Sequence, residues 1–147
     1  MKPLKEIIPN TCFVSCVKIV GQDLGFDLDI KAFIERFHEL CHKGTKIEGA
    51  FFVTEENVAI ISGKMGFSAV LTKTLRESYD EDDCRAILSF HRFNGEEGHA
   101  HCLVYCGCSK DGLSIETICP SLNAPFTFLA SDLPKWQTNI VEIRNSP

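Results

Sequence analysis

Apolar residues recur at helical spacing in the first part of the chain and in strand-like runs in the second. Phe13, Val17 and Val20 are three and four residues apart, a spacing that places side chains on one face of a helix. That helix would begin at or near Cys12, and the glycines within residues 21–25 predict a turn after it. The pattern therefore predicts a first helix with one buried face.

A second helix is predicted by an apolar stripe that follows the helical repeat. The residues of the stripe are Ile30, Phe33, Ile34, Phe37 and Cys41. Asp27 or Asp29 can cap its start, and Lys43 followed by Gly44 is typical of a helix end. We therefore expect one continuous helix that turns this stripe toward the core.

Thr54 marks the start of a third predicted helix. Glu55 and Glu56 follow in its first turn, where the helix dipole favours acidic side chains. This helix is expected to end at residues 64–66. A strongly acidic segment at residues 76–83 predicts a short, solvated helix.

Strand-like runs dominate the chain from Arg85 onward. Together with one earlier run, they predict strands over residues 67–71, 86–90, 101–105, 113–119, 126–128 and 139–143. The turn residues at 109–112 are typical of a hairpin between antiparallel neighbours. The chain is therefore expected to be a single α+β domain over residues 1–147, with a helical part at about 1–66 and a sheet part at about 67–147.

Charge and hydropathy argue against two classes of partner. The 147 residues carry a formal net charge of -5 at pH 7 and contain no basic cluster, so neither nucleic acid nor an anionic membrane is an expected partner. No apolar run reaches the ~18 residues of a membrane span, and residues 1–6 lack the pattern of a secretory signal. We expect a cytoplasmic protein without membrane insertion, and leave open signal-independent export as an effector. The oligomeric state is not indicated.

Eight cysteines are many for a chain of this length. Without a secretory signal, reduced thiols are expected rather than a disulfide framework. Several possible zinc ligands crowd one region, namely His99, His101, Cys102, Cys106 and Cys108. Their spacing contains no Cys-x-x-Cys pair and lacks the usual knuckle turn, so we expect neither a metal nor another cofactor.

Cys12 is the first candidate for chemistry. Pro9 blocks a helix from running in from upstream, and Asn10 or Thr11 can cap a helix that begins at Cys12. The positive end of a helix dipole favours a thiolate and lowers the pKa of a cysteine. A thiolate on a rigid helix suits nucleophilic catalysis. Taken alone, however, the stretch fits a small core residue at least as well, because free cysteine is often buried.

A thiol nucleophile needs a base within hydrogen-bond reach, and that base needs a third polar group to orient it. His99 and His101 lie at the start of a predicted strand, directly after a loop that contains glycine. Strand alternation places both on one face. His101 is the preferred base because the apolar strand begins immediately after it, and His99 is the alternative.

The order of these features forms a recognisable series. The series consists of Cys12 at the start of a buried helix, a helix ending in Lys-Met-Gly-Phe at residues 64–67, the strand Ala-Ile-Leu-Ser-Phe at 86–90, His101 before an apolar strand, and a strand that ends before Pro120. It resembles the papain-like cysteine peptidases, specifically the double-glycine leader peptidases that process bacteriocin precursors, and their stand-alone relatives. The resemblance extends over roughly residues 5–143.

The resemblance implies a papain-like fold, with N-terminal helices packed on a C-terminal antiparallel sheet. It further implies a thiol-dependent hydrolase that acts on an amide or peptide bond, with a peptide or protein as substrate. Cys12 would be the nucleophile, and His101 would hold the thiolate and then protonate the leaving amine. An acyl-enzyme intermediate would form on the way.

Two departures from the family pattern lie near the nucleophile. The family usually continues Cys-Gly-Pro, whereas Phe13 and Val14 follow Cys12 in this chain. The upstream glutamine that donates to the oxyanion is replaced by Glu6, which cannot donate when ionised. Asn10, together with the Cys12 backbone N–H, is the expected substitute.

A third departure concerns the residue that orients the histidine. The family places an aspartate before the proline at the end of the third strand, and this chain has Cys119 there. Since a thiol orients imidazole poorly, Thr117, Glu116 or Asn123 are alternatives to Cys119. Otherwise the site is a dyad of cysteine and histidine.

Three functions remain open from the sequence. The first is a cysteine peptidase or a protein-modifying deamidase or effector, since both share acyl-enzyme chemistry. The second is a catalytically inactive papain-like domain that binds a peptide or partner protein in the same cleft. The third is a redox or metal-binding domain that uses Cys12 and Cys16, which lie one helical turn apart.

Overall fold

An antiparallel sheet occupies the C-terminal part of the chain, and helices cover one of its faces. A computed structural model describes residues 11–42, 50–79, 83–120, 122 and 124–145, and the predicted helix end at Lys43 and Gly44 lies outside them. The helices are α1 (Cys12–Leu24), α2 (Ile30–Arg36), α3 (His38–His42), α4 (Glu55–Ile61) and α5 (Asp132–Lys135). The strands are β1 (Phe67–Thr72), β2 (Cys84–Phe90), β3 (His101–Cys108), β4 (Ser114–Cys119), β5 (Ala124–Leu129) and β6 (Thr138–Asn145). Within these ranges, none of the helices is both long and apolar enough to cross a membrane.

The six strands are ordered β1-β6-β2-β3-β4-β5, and all neighbouring strands run antiparallel. Every predicted strand is present, with ends that differ by a few residues. The predicted α+β class, with N-terminal helices on a C-terminal antiparallel sheet, is confirmed. Strand β3, which begins with His101, lies in the interior of the sheet between β2 and β4.

Helix α1 packs across β3, β2 and β6 and forms the centre of the core between the helices and the sheet. Phe13, Val17 and Val20 are fully buried, as their helical spacing predicts. The helix runs through Gly21, where a turn was predicted, and ends only at Gly25. There the backbone is left-handed, with φ 97°, a conformation that glycine adopts without strain at helix ends.

The helix predicted over the second apolar stripe is two short helices, because Phe37 interrupts it. Asp29 caps α2 by accepting a hydrogen bond from the Ala32 N–H at 3.1 Å. Phe37 has φ -112° and ψ 37°, which lies outside the helical range, and α3 begins at the next residue. Phe33, Phe37 and Cys41 are nevertheless all buried. The stripe therefore faces the core across the break.

Helix α4 begins where predicted and ends early. Thr54 caps it, its hydroxyl accepting a hydrogen bond from a first-turn N–H at 3.1 Å. The helix ends at Ile61 rather than at residues 64–66. Ser62 is extended, and its hydroxyl accepts a hydrogen bond from the Ala69 N–H of β1 at 3.0 Å. The chain therefore leaves the helix to join the sheet one turn sooner than its pattern predicts.

A second apolar cluster covers the other face of the sheet. Phe90, Leu103, Phe128 and Trp136 lie at its centre. Trp136 directly follows α5, a short helix that no sequence pattern predicts, and packs on Phe128 with ring centroids 4.9 Å apart. The sheet is therefore buried on both faces.

The segment predicted as a short solvated helix, residues 76–83, is not helical in its described part. Tyr79 is buried in the second cluster, and its hydroxyl accepts a hydrogen bond from the Arg76 N–H at 3.1 Å. Tyr105 of β3 donates to the Glu77 carbonyl at 2.9 Å. These contacts hold the segment against the sheet, so the helix prediction is wrong there.

Candidate active site

Cys12 is the first residue of α1 and lies half-buried at the N-terminus of that helix. Thr11 precedes it, but its side chain does not cap the helix, and its hydroxyl lies 2.9 Å from that of Ser15. The capping role predicted for Thr11 is therefore wrong, and Asn10 lies outside the described residues. First-turn amides have no acceptor within a helix. The Phe13 N–H lies at this end of the helix and helps to lower the pKa of Cys12.

His101 reaches Cys12 from the first position of β3. Its side chain is close enough to Cys12 for each group to shift the other's pKa, and its Nε2 lies 3.3 Å from Sγ of Cys119. The β3–β4 register pairs Val104 with Ile118, which makes His101 and Cys119 diagonal neighbours on one face of the sheet. The sheet register thus places the imidazole in contact with the Cys119 sulfur.

Cys102 belongs to this site, although the sequence predictions missed its role. It follows His101 on β3, so strand alternation turns its side chain toward α1, and it is buried in the core beneath that helix. Its thiol and Cys12 shift each other's pKa, and Ser89, the residue directly opposite it on β2, also shifts the pKa of Cys102. The sequence carried a signal for this contact, a cysteine next to the predicted base on the strand face that the nucleophile's helix covers.

The pKa of Cys12 lies well below its ordinary value of 9.0. The hydrogen bond from the Cys102 thiol is the largest cause, and burial acts in the opposite direction. The hydrogen bond and positive charge of His101 lower the pKa further, as does the Phe13 N–H. The same hydrogen bond, together with burial, raises the pKa of Cys102 well above 9.0. Cys12 is therefore the sulfur that carries the negative charge.

Two opposing effects act on the pKa of His101. Burial lowers it, but the hydrogen bonds to Cys119 and Cys12, with the negative charge of Cys12, outweigh burial and raise the pKa to about 9. The imidazole therefore holds a proton at neutral pH beside the Cys12 thiolate. In such a pair the sulfur can attack a carbonyl carbon and the imidazolium can protonate a leaving group.

Of the residues proposed to orient His101 that the structure describes, Cys119 is the one that contacts it. The Thr117 hydroxyl donates to the Phe126 carbonyl at 2.7 Å, so its hydrogen is used within the β4–β5 pair. Glu116 is exposed and lies on the opposite face of β4 from Cys119. Asn123 lies outside the described residues.

The alternative base His99 remains in the loop before β3. Its Nδ1 lies 3.1 Å from the Glu96 carboxylate, and its side chain is exposed. The Phe93 ring packs against both histidines, with its centroid 4.6 Å from that of His101 and 5.5 Å from that of His99. Trp136 packs against Phe93 in turn, at 5.3 Å. His101 is thus the histidine that meets Cys12, and aromatic rings hold it in place.

Cys16, which the sequence paired with Cys12 as a redox or metal alternative, is fully buried. Burial, followed by the negative charges of Cys12 and Cys119, raises its pKa well above 9.0, so it is a protonated core residue. None of the eight cysteines is joined in a disulfide in this structure. Within the part of the chain that the structure describes, no group of three or more His, Cys, Asp or Glu side chains is arranged to hold a metal ion.

Comparison with known proteins identifies the fold. No family model matches the chain, and no curated protein matches it in sequence. A similar solved structure is the N-terminal peptidase C39-like domain of the toxin secretion ATP-binding protein from Vibrio parahaemolyticus, with a TM-score of 0.54 and 12% sequence identity. The match covers 95% of this chain and 99% of that one. The chain therefore has a papain-like fold of the peptidase C39-like kind.

Proposed function

We propose that the chain is a thiol-dependent hydrolase that acts on an amide or peptide bond through an acyl-enzyme intermediate. The observation that carries this proposal is His101 at the start of β3, with its Nε2 3.3 Å from the Cys119 sulfur and its charge close enough to Cys12 to shift the pKa of that thiol. A thiolate already paired with a protonated imidazole can attack without a further base. The peptidase C39-like fold supports the same class of chemistry.

The reaction has two halves. The Cys12 sulfur attacks the carbonyl carbon and forms a C–S bond, while the carbonyl π electrons move to oxygen. When this intermediate collapses, the C–N bond breaks and His101 gives its proton to the leaving amine. His101 then takes a proton from water, whose oxygen attacks the thioester, and Cys12 leaves as the thiolate.

Donors at the start of α1 would stabilise the oxyanion. We assign this role to the backbone N–H of Cys12, the first residue of α1, and to the side-chain amide of Asn10, which precedes that helix in sequence. The positive end of the helix dipole adds to their effect. A single oxyanion donor is worth about 10²–10³ in rate, so the departure from the family's glutamine is consistent with a working site.

Cys119 is the proposed orienting residue. It stands at the position where the double-glycine leader peptidases have aspartate, and it keeps the contact with the histidine ring. Because a thiol is a weak hydrogen-bond partner compared with a carboxylate, it holds the imidazole less firmly. The proposed enzyme is therefore slower than one with a carboxylate at this position.

The proposed substrate is a peptide segment, and the specific form we propose is leader removal of the double-glycine type. The similar domain belongs to a toxin secretion ATP-binding protein and is itself named peptidase C39-like. The order of sequence elements around Cys12 and His101 supports the same assignment. Deamidation of glutamine would use identical steps with ammonia as the leaving group, and its products distinguish it.

Alkylation with iodoacetamide near neutral pH, followed by peptide mapping, tests the nucleophile. Cys12 is expected to react at least about tenfold faster than the other cysteines, because only the thiolate is nucleophilic. His101→Ala should remove this advantage. His99→Ala is the matched control, since His99 is exposed and bonded to Glu96, and it should leave the rate unchanged. Slow, uniform labelling of all eight cysteines would overturn the proposal.

Product analysis then separates the reactions. The wild-type chain is incubated with a peptide mixture and with glutamine-containing proteins, and Cys12→Ala serves as the blank. New peptide termini identify a peptidase, and released ammonia without cleavage identifies a deamidase. If neither forms while Cys12→Ala binds peptide as tightly as wild type, the chain is a binding domain and the hydrolase proposal is wrong.

A further inference from the structure

We propose that Lys73, Asn139 and His91 form a binding subsite for a carboxylate group of the peptide substrate, about three residues along the peptide from the bond that Cys12 attacks. As a statement about substrates this inference rests on the proposed function, but the binding of a carboxylate can be measured without any hydrolysis.

The three residues lie at the edge of the sheet where His101 begins β3. Lys73 directly follows β1, His91 directly follows β2, and Asn139 is the second residue of β6. In the sheet register, Phe90 at the end of β2 is opposite both His101 on β3 and the first residue of β6. The subsite and the proposed base therefore share one edge of the sheet.

A buried amide links two exposed side chains in this subsite. Asn139 is only 7% exposed, whereas Lys73 and His91 are both exposed. The Lys73 ammonium donates a hydrogen bond to Oδ1 of Asn139, and Nδ2 of Asn139 lies 3.0 Å from Nε2 of His91. The amide of Asn139 thus holds the ammonium and the imidazole on either side of it.

The direction of these hydrogen bonds leaves donors for a ligand. An ammonium group can only donate, so the oxygen of Asn139 faces Lys73 and its NH₂ group faces His91. Nε2 of His91 must then accept, which places the ring proton of the neutral imidazole on Nδ1. Lys73 keeps two further N–H donors, and none of the carboxylates that the structure describes forms an ion pair with it. A negatively charged acceptor suits such a pair of donors.

A row of residues across the sheet connects the subsite with the candidate nucleophile. Asn139 on β6 is opposite Ser89 on β2, and Ser89 is opposite Cys102 on β3. Alternation with the core residues Ile87 and Val141 turns this row toward the helices. The helix that begins with the candidate nucleophile crosses the same three strands. The subsite and the nucleophile therefore lie on the same face of the sheet.

The spacing of the strands gives the reach from the subsite to the reacting bond. Asn139 lies two strands away from Cys102, and neighbouring strands are about 4.8 Å apart, so the separation is about 10 Å. An extended peptide advances by about 3.3 Å per residue. A carboxylate held by Lys73 and His91 would therefore lie about three residues from a bond placed over the start of β3.

The net charge of the chain argues against a general attraction for acidic peptides. At a formal net charge of -5, the protein repels a carboxylate at long range. Binding of an acidic peptide would therefore report a local site, and Lys73 is the cation of that site.

The test measures binding to the full chain with Cys12→Ala, so that no peptide is consumed. Three short peptides of otherwise identical sequence are compared: one with a Glu side chain and an amidated C-terminus, one with Gln and a free C-terminal carboxylate, and one with Gln and an amidated C-terminus. NMR titrations follow the His91 ring and the Asn139 side-chain amide. We expect saturable shifts of both signals with a carboxylate-bearing peptide and none with the neutral peptide. The two charged peptides show which carboxylate binds.

Two lysine variants identify the cation. Lys73→Gln should weaken binding of the carboxylate-bearing peptide about tenfold or more, the loss expected when a hydrogen bond to a charged group is removed. Lys110→Gln is the matched control, because it makes the same change of charge in the turn between β3 and β4, at the opposite edge of the sheet, and it should leave the affinity unchanged. Circular dichroism melts check that both variants retain the fold.

Equal shifts with the neutral and the charged peptides would overturn the inference, as would the absence of saturable shifts with all three. So would an equal loss of affinity in the two lysine variants, which would indicate an effect of net charge. The two proposals fail separately. Carboxylate binding by a chain that hydrolyses no peptide would leave the subsite standing as that of a binding domain, whereas peptide hydrolysis without carboxylate binding would leave the enzyme and remove the subsite.

Discussion

Three cysteines set the charges at the candidate site. Cys102 is the largest cause that lowers the pKa of Cys12, while Cys119 contacts His101, the proposed base. From the sequence, the helix N-terminus is the expected source of a lowered pKa at Cys12. In the structure, side chains from β3 contribute more than the backbone N–H of Phe13 does. The sheet, and not only the helix, therefore activates the thiol.

Cys119→Asp tests the weakest contact of the proposed site. A carboxylate at this position would hold the His101 ring and its charge more firmly than a thiol, and loss of such an orienting carboxylate in other enzymes costs about 10⁴ in kcat. We expect kcat on a cleaved peptide to rise by about tenfold or more with KM unchanged, and the alkaline fall in activity to move to higher pH. Steady-state kinetics across pH measure both.

Cys119→Ser is the control for that substitution, since it keeps a small polar side chain without a charge, and it should give no gain. Circular dichroism melts of both variants check that the fold is retained. An unchanged or lower kcat in a folded Cys119→Asp protein would show that Cys119 does not orient the imidazole.

The sequence predicted part of this site and missed the rest for a physical reason. Cys12 and His101 could be found because a helix start and a strand start leave local signals. The effect of Cys102 on the pKa of Cys12 depends on how α1 crosses β3, which periodicity does not encode. The choice among Cys119, Thr117 and Glu116 likewise needed the register of β4, since alternation alone puts Thr117 and Cys119 on one face.

Gly21 allows the chain that follows α1 to pack closely against the helix. A Cβ at this position would come within 2.5 Å of the Phe26 ring, and the Phe26 N–H donates to the Gly21 carbonyl at 2.8 Å. The Phe26 ring in turn stacks on Phe67 of β1, with centroids 5.7 Å apart. The glycine therefore allows the chain leaving α1 to fold back over the helix and onto the sheet.

Gly21→Ala is accordingly expected to destabilise the protein by about 1–3 kcal/mol, because the Phe26 ring must move out of its stack on Phe67. In a Phe26→Ala background the clash is absent, and the same substitution should instead stabilise by up to about 1 kcal/mol through helix propensity. Urea unfolding of the four proteins measures both values. If Gly21→Ala has the same effect in the two backgrounds, Phe26 is not the cause.

Helices and strands could be predicted where the local sequence pattern and the tertiary contacts favour the same structure. The start of α4 at Thr54 and all the predicted strands meet this condition. The break at Phe37 could not be predicted from the sequence. A single residue with non-helical backbone angles leaves the apolar stripe on the same face of the two helices. Residues 76–83 were predicted to be a solvated helix because most of them are charged or polar. The prediction gave no weight to Tyr79, the aromatic residue among them, which packs on the sheet.

Folding moves a proton from sulfur to imidazole at the candidate site. In the unfolded chain, Cys12 and His101 titrate near their ordinary values of 9.0 and 6.5. In the folded protein the pKa of Cys12 is well below 9.0 and that of His101 is about 9. Between pH 6.5 and about 9, both states therefore hold one proton on the pair.

The two contributions to the free energy of unfolding have opposite slopes. The raised pKa of His101 gives its full stabilisation of the folded state below pH 6.5, and this contribution is lost as the pH rises through about 9. The lowered pKa of Cys12 gives its full stabilisation of the folded state above pH 9.0. This contribution is lost as the pH falls toward the pKa that Cys12 has in the folded protein. Between pH 6.5 and about 9 the two slopes of unfolding free energy against pH cancel. Below pH 6.5 only the loss at Cys12 continues, so the stabilisation that this pair gives the folded state decreases as the pH falls further.

The cost of Cys12→Ala should therefore depend on pH. We expect it to grow between about pH 5 and pH 7, as the thiolate forms only in the folded wild type, and to level off up to about pH 8.5. Cys41→Ala is the matched control, because it also removes a core thiol, but burial raises the pKa of Cys41 to about 11. Its cost should be the same throughout. Urea titrations at the three pH values measure the difference, and an equal cost of Cys12→Ala in acid and at neutral pH would mean that Cys12 is not a thiolate in the folded protein.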